Sequence, residues 1–253
     1  MALRIYLTGR VAVECEHGLL DQDAFSGRQG VLALARLLLP RTAAVSRSEL
    51  AALLWPDALP RAWESALNAV ISKLRSVLGQ AGLNKAEVLP SALGCYQLRL
   101  PADSWVDVEA ALDALHEAEA TLRRQSFRDA WASSQVAYHI TRRPFLAGAS
   151  GEWVAAVREN LATAHARACE CLAEAYIRNG EPGIAADVAR QGLAVQPFRE
   201  TAHRILMRAH AAAGNRAEAL RAYETCRRLI SDQLGVPPSA ETEAVYLEIL
   251  RSR

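Results

Sequence analysis

Apolar and polar positions alternate over the first fifteen residues. LRIYL (3–7) and VAVEC (11–15) are short β-prone runs, and Gly9-Arg10 between them is a hairpin signal. The period then lengthens. SGRQGVLALARLLLP (26–40) has helical spacing, with Pro40 just past its end. VSRSELAALLWP (45–56) predicts a second helix. Ser46 can accept from the backbone N–H of Glu49 while Glu49 reaches back to Ser46, which is a capping box. Leu50, Leu53 and Leu54 supply the buried face, Pro56 stops the helix, and Trp55 is expected in the core. A third helix, 61–78, begins after Pro60 and opens with Arg61. Ala66, Leu67, Val70, Ile71, Leu74, Val77 and Leu78 follow at its spacing, and Gly79 or Gly82 ends it. EVLPSA and GCYQLRL (94–100) are then two extended pieces around a turn.

Strands, three helices and a closing hairpin are the winged-helix order, in which the last helix enters the major groove and the hairpin lies along the backbone. From about Trp105 the pattern is helix after helix. AEAYIRNGEPGIAADVARQGL (173–193) aligns with MRAHAAAGNRAEALRAYETCR (207–227). Gly180 and Gly214 lie 34 residues apart, and the small residues Ala185 and Ala219 follow each of them at the same offset. That period with a helix–turn–helix unit is the tetratricopeptide signature, since small residues let paired helices approach closely. A looser unit, 118–140, has its turn near Gln125, and PFLAGASG (144–151) interrupts the period. The fold class expected is mainly α: an N-terminal winged helix (α+β) over 1–100, then an all-α tetratricopeptide-like helical solenoid over 101–253.

The third helix has an unusual polar face. At 100° per residue, Ser65, Asn68, Ala69, Ser72 and Ser76 share one arc, with Lys73 and Arg75 on its two sides. A helix that needs only to be soluble carries Glu and Lys there. Small side chains let a helix sit deep in a major groove. Asn68 can pair with adenine N6/N7, Ser hydroxyls can donate or accept, and Ala can touch a thymine methyl. Lys and Arg at the rim suit phosphates. Arg47 in the second helix, Arg61 at the start of the third, and Arg99 in the hairpin can join the same side.

Charge and composition add a little. The chain carries 51% apolar and 23% charged residues, so it folds into a globular protein. Residues 1–100 hold 11 Lys and Arg against 8 Asp and Glu, and the rest hold 18 against 20. The sign of the difference favours the first part as the one that meets a polyanion. No apolar run reaches the roughly 18–20 residues of a membrane span, and no secretory signal opens the chain. Five cysteines without framework spacing fit a reducing, cytoplasmic compartment. No nucleophile–base pair, metal-ligand spacing or phosphate-binding Gly-rich loop stands out, so neither an enzyme nor a cofactor or metal is expected.

Several segments also resemble one known family in order along nearly the whole chain. These are SGRQGVLALARLLL, VSRSELAALLWPDALPRAWESALNAVISKLRSVLG, GCYQLRLPADSWVDVEAAL, PFLAGASGEWVAAVRENL with Trp153 and Arg158, and GNRAEALRAYETCRRLISDQLGVPPSAETEAVYLEIL. They resemble the Streptomyces antibiotic regulatory proteins, which join a winged helix to a bacterial transcriptional activation domain. The departures are Glu64 in the first turn of the third helix and Gly-Cys-Tyr where Gly-Gly-Tyr is usual. The resemblance implies a transcription regulator, usually an activator, that binds double-stranded promoter repeats, often as a homodimer, and recruits RNA polymerase. It makes 61–78 the recognition helix, with Ser65, Asn68, Ser72, Lys73 and Arg75 as its DNA face, and DALPRA (57–62) the loop that can face polymerase. Two alternatives remain. One is a protein-interaction adaptor of the same fold without DNA binding. The other is a regulator that senses a small-molecule effector on the helical repeats, lined by Tyr176, Arg204, Arg208 and Tyr223.

Overall fold

The computed structural model describes residues 3–25, 27–39 and 43–251. Ser26 and Pro40, expected at the two ends of the first helix, lie outside them. The chain divides into two compact units, Met1–Glu109 with Arg143–Arg158, and Ala110–Arg142 with Glu159–Arg253. The first is a winged helix and the second an all-α, tetratricopeptide-like array. No helix among the described residues is long and apolar enough to cross a membrane.

In the first unit, β1 (Arg4–Tyr6) and β2 (Ala12–Cys15) form the expected hairpin, with Ile5 opposite Val13. Two strands of its sheet were not expected. β3 (Gly18–Asp21) pairs antiparallel with β2. Farther along the chain, β7 (Trp105–Val106) pairs parallel with β1, giving the order β3-β2-β1-β7. A 3₁₀ turn (Gln22–Phe25) leads into α1 (Gly27–Leu38). The α2 helix is Arg47–Leu54, and its capping box at Ser46 and Glu49 is present. Val45 and Ser46 before it form a strand, β4, where the sequence pattern extended the helix. The third helix, α3, runs Trp63–Gln80, two residues later at each end than expected. Gly82, at φ +91, makes its C-terminal turn, with Leu83 N–H donating to Leu78 O at 3.1 Å. The hairpin follows as β5 (Ser91–Ala92) and β6 (Cys95–Tyr96), and β6 also pairs with β4. Leu34, Leu37, Leu50, Leu67, Ile71 and Tyr96 are buried in this unit. Trp55 is not a core residue; it is half-buried at the end of α2.

Residues 143–158 belong to this unit for a hydrogen-bonding reason. Leu146 N–H donates to Leu7 O, and Gly9 N–H donates to Pro144 O, both at 2.9 Å. Arg158 then holds the segment, donating to the carbonyls of Phe145 (3.0 Å), Leu146 (2.8 Å) and Ala149 (3.1 Å). Trp153 packs edge-on against Phe145.

The helical unit is made by α4 (Asp107–Arg123), which starts in the first unit, α5 (Phe127–Thr141), α6 (Glu152–Arg178), α7 (Pro182–Val195), α8 (Glu200–Ala212), α9 (Arg216–Leu234) and α10 (Ala240–Arg251). Its internal period is visible in the backbone. Gln125, Gly180 and Gly214 all take positive φ, at 60°, 83° and 76°. Each precedes the same six-residue hydrogen bond, from Ser126 N–H to Thr121 O, Glu181 N–H to Tyr176 O, and Asn215 N–H to His210 O. Ala185 and Ala219 are fully buried, as close helix pairing requires. Arg199, between α7 and α8, makes two parallel bonds to the Glu170 carboxylate of α6, at 2.7 and 2.8 Å.

A Cβ on Gly30 would lie 1.4 Å from the backbone oxygen of Phe25. Gly30→Ala is expected to lose roughly 3 kcal/mol, because backbone cannot swing aside as a side chain can; urea denaturation measures it, and an unchanged midpoint would contradict the packing. In the helical unit, burial lowers the pKa of His165, with Arg142 adding to the effect, and burial also lowers that of His203 despite its bond to Pro197 O. Both rings therefore bind fewer protons folded than unfolded. Their contribution to stability is complete above their ordinary pKa of 6.5 and is lost as pH falls below it. Denaturation at pH 7.5 and 5.5 should show this loss, and it should shrink in His165→Gln.

Candidate nucleic-acid interface

The α3 helix starts without a side-chain cap. Backbone supplies the turn instead, with Trp63 N–H donating to Pro60 O at 3.0 Å and Ala66 N–H to Ala62 O at 3.1 Å. Arg61 therefore sits in the turn before the helix and does not open it; it is exposed. Glu64 lies in the first turn, where a negative charge complements the helix dipole. Leu67, Ile71, Leu74, Val77 and Leu78 are buried along one side. On the other, Ser65, Asn68, Ala69, Ser72 and Lys73 are exposed, while Arg75 and Ser76 are half-buried.

The hairpin and the start of α2 are tied to this helix at one point. Arg47 donates from Nη1 to Asn68 Oδ1 at 3.0 Å and to the Tyr96 hydroxyl at 2.6 Å. The Tyr96 hydroxyl donates in turn to Asn68 Oδ1 at 3.3 Å. The ring of Tyr96 is buried, so the triangle has a fixed base. Arg47 N–H also donates to Gly94 O at 2.9 Å, fastening the hairpin turn to α2. The β5–β6 loop is a two-residue turn with Leu93 at φ 51° and Gly94 at φ 73°, both left-handed as a type I′ turn needs. Leu93 at its tip is fully exposed.

The other expected residues are arranged differently. Arg75 turns from the exposed arc and donates through Nε and Nη2 to Leu89 O, at 3.2 and 2.6 Å, bracing the loop before the hairpin. Arg99 is exposed beyond β6, its backbone N–H donating to Val88 O. The structure thus brings Arg47 and Asn68 into direct contact and sets Ser65, Ser72 and Lys73 on the same exposed face. Sequence reasoning missed Tyr96 as a member of the group. Its only sequence signal was its place beside Cys95 in the hairpin, because the partners lie 28 and 49 residues away. The pairing with adenine expected of Asn68 needs a free Oδ1, and here that oxygen already accepts twice.

The same unit has an open cleft of about 1170 Å³, lined by Arg36, Leu53, Trp55, Pro56, Asp57 and Trp153 among others. Arg36 and Glu49 form an ion pair at 3.8 Å on its wall. Leu59, in the loop after it, is exposed.

In the helical unit the residues considered for an effector are not gathered into one site. Of the four residues considered for an effector, Tyr223 is buried and stacks on Tyr246 at 4.0 Å. Tyr176 accepts from Gln135 at 2.8 Å, and Arg204 donates to Thr201 and Thr242. Arg208 is exposed. Burial pushes the thiols of Cys169 and Cys171 up to about 12, so they are poor nucleophiles. Among the described residues no group of three His, Cys, Asp or Glu side chains could hold a metal.

A winged helix joined to tetratricopeptide-like helix pairs defines the class of protein. Residues 106–250 match the model of the bacterial transcriptional activator domain, and the chain belongs to that family. It is 28% identical over 219 residues to the regulatory protein AfsR of Streptomyces coelicolor, covering 87% of this chain and 22% of that one. It is 25% identical to the transcriptional regulatory protein MoaR1 of Mycobacterium tuberculosis, covering 86% of this chain and 70% of that protein. Among solved structures it is similar to Mycobacterium tuberculosis EmbR in complex with a low-affinity phosphopeptide, with TM-score 0.84, 25% identity, and coverage of 98% of this chain and 65% of that one. The chain therefore spans about a fifth of AfsR and two-thirds of EmbR. The family and these relatives bear out the resemblance to the Streptomyces antibiotic regulatory proteins.

Leucine in a left-handed position costs roughly 1 kcal/mol, whereas Asn-Gly is a favoured type I′ pair. Leu93→Asn should therefore raise stability by about 0.5–1 kcal/mol in urea titration. A lowered midpoint would mean that Leu93 makes contacts its full exposure does not suggest.

Proposed function

We propose that this transcriptional regulator binds double-stranded promoter DNA in a sequence-specific way through α3. The observation that carries the reading is the exposed face of Ser65, Asn68, Ala69, Ser72 and Lys73, small and uncharged at its centre, fastened through Asn68 to both the hairpin and the start of α2. Such a face fits the major groove without steric or like-charge conflict. Arg47 keeps Nε and Nη2 for phosphate, and Lys73, Arg61 and Arg99 supply further backbone contacts. Arg75 acts from behind, holding the loop that carries the hairpin.

The same reading makes the protein an activator that binds promoter repeats as a homodimer. The exposed loop with Leu59, beside the cleft at Trp55 and Pro56, is the surface we assign to RNA polymerase. The relatives' names as regulatory proteins support a role in transcription, and the family's description supports activation over repression.

The test is fluorescence anisotropy with the protein's own upstream intergenic DNA against random duplex. With about three to five phosphates neutralised per protomer, log K should fall against log salt with a slope of about −2.7 to −4.5. The Asn68→Ala/Ser72→Ala pair should remove the preference over random duplex, while Lys73→Ala should weaken binding to all sequences alike. A pair variant that keeps full promoter preference would show that this face of α3 does not read the bases, and a full chain with no preference over random duplex would favour the adaptor reading.

A further inference from the structure

The triangle of Arg47, Asn68 and Tyr96 fixes which way the Asn68 amide faces. An asparagine amide can ordinarily be turned end for end, because its oxygen and nitrogen are alike in shape. Here the choice is forced. A guanidinium has donors and no acceptor, so the Asn68 atom that meets Arg47 Nη1 at 3.0 Å must be the oxygen. The same Nη1 gives a hydrogen bond to the Tyr96 oxygen at 2.6 Å, so the Tyr96 hydrogen is directed onward, to Asn68 Oδ1 at 3.3 Å. Oδ1 has two lone pairs and both are occupied. What Asn68 has left, on an exposed position of the reading face, is the Nδ2 amide with two hydrogens to donate.

A side chain that can only donate does not read the bases as free asparagine does. Free asparagine matches adenine, accepting from N6 and donating to N7. A donor-only amide meets a clash of hydrogens at adenine N6. Guanine presents two adjacent acceptors, O6 and N7, and no other base edge in the major groove offers such a pair.

From this arrangement we infer that Asn68 is a specificity-determining residue that selects guanine, and that Arg47 and Tyr96 are positioning residues that impose the choice by occupying its oxygen. The inference rests on the DNA-binding reading above and adds the identity of one base to it. It also gives the buried Tyr96 hydroxyl a role beyond packing. Without that hydroxyl, one lone pair of Oδ1 is free, and the amide can again accept from adenine.

The experiment is selection of bound sequences from a random duplex pool, followed by sequencing, with the full chain, Asn68→Ala and Tyr96→Phe in parallel. Circular dichroism and a urea midpoint confirm that each variant is folded. The full chain should enrich a motif with guanine at one position of each half-site, preferred over adenine by roughly tenfold. Asn68→Ala, a change at an exposed site, should erase the preference at that position and keep the rest of the motif. Tyr96→Phe should bring guanine and adenine toward parity at that position alone, which a merely structural loss, lowering binding to every sequence, would not do. Adenine or a pyrimidine at the position that Asn68→Ala erases would overturn the inference while leaving DNA binding intact. So would a motif that Asn68→Ala does not change. If the full chain enriches no motif while folded, the DNA-binding reading itself fails, and this inference fails with it.

Discussion

A buried carboxylate ties the beginning of the chain to the start of α4. Asp107 is fully buried and accepts from Leu7 N–H, Thr8 N–H, the Thr8 hydroxyl and Val108 N–H, at 2.7 to 3.0 Å. Leu7 and Thr8 follow directly on β1, and their N–H groups would otherwise be unpaired inside the unit. An unpaired buried donor costs about 1–3 kcal/mol, so one carboxylate removes several such losses at once. Burial pushes the Asp107 carboxyl up, and the four donors pull against it. The same strand end receives the 143–158 segment, through Leu7 O and the Thr8–Phe145 bridge. The four-stranded sheet, the parallel partner β7 and the returning segment all meet at this place. The winged helix is framed by residues about a hundred positions apart because their polar backbone groups have nowhere else to go.

The same rule acts on the exposed side of the unit, with a different result. At Asp107 both carboxylate oxygens are occupied by donors from within the unit. In the triangle of Arg47, Asn68 and Tyr96 the pairing stops one group short. Two donors saturate one oxygen, and the amide nitrogen remains. Arg47 likewise uses Nη1 and keeps its other nitrogens. A partly satisfied network at the surface is therefore a directed one, since the internal bonds decide which groups remain for a partner. This is how a buried tyrosine can influence what an exposed asparagine recognises.

Much of the fold could be read from local pattern. The capping box at Ser46 and Glu49, the apolar stripe of α3 and the Gly180–Gly214 period each depend on residues within one helix or one turn. Gln125 marked the third turn although it is neither glycine nor asparagine, because the helical pattern on both sides stopped there. What could not be read was non-local. β7 is two residues long, and its partner strand is at the other end of the first unit. β3 is largely exposed and has little apolar alternation to announce it. The α3 start was placed two residues early because Pro60 and Arg61 resemble a helix opening, whereas the backbone of Pro60 and Ala62 caps the helix without a side chain. The site was legible in the same measure. The exposed arc of α3 follows from its spacing alone. That Arg75 would turn to Leu89 O, and that Asn68 would meet Tyr96, depends on where a loop and a hairpin come to rest.

The weak charge of the first unit has a structural counterpart. On the proposed reading, an exposed α3 face that carries Lys73, with Glu64 in the first turn of the helix, draws little from the diffuse attraction of phosphates. On the proposed reading, discrimination then depends on polar groups held in place, and the ordering cost of a mobile face would be large relative to what it gains. The helix is in fact held on several sides. Its apolar stripe is buried, Gly82 closes its C-terminal turn, Arg75 grips the Leu89 carbonyl, and Asn68 is bonded to two other elements. Serine and alanine at the centre of the face have few rotamers to lose. On that reading, rigidity and small side chains would together let the exposed face of α3 distinguish bases, where a more basic helix would hold any duplex more tightly and tell fewer of them apart.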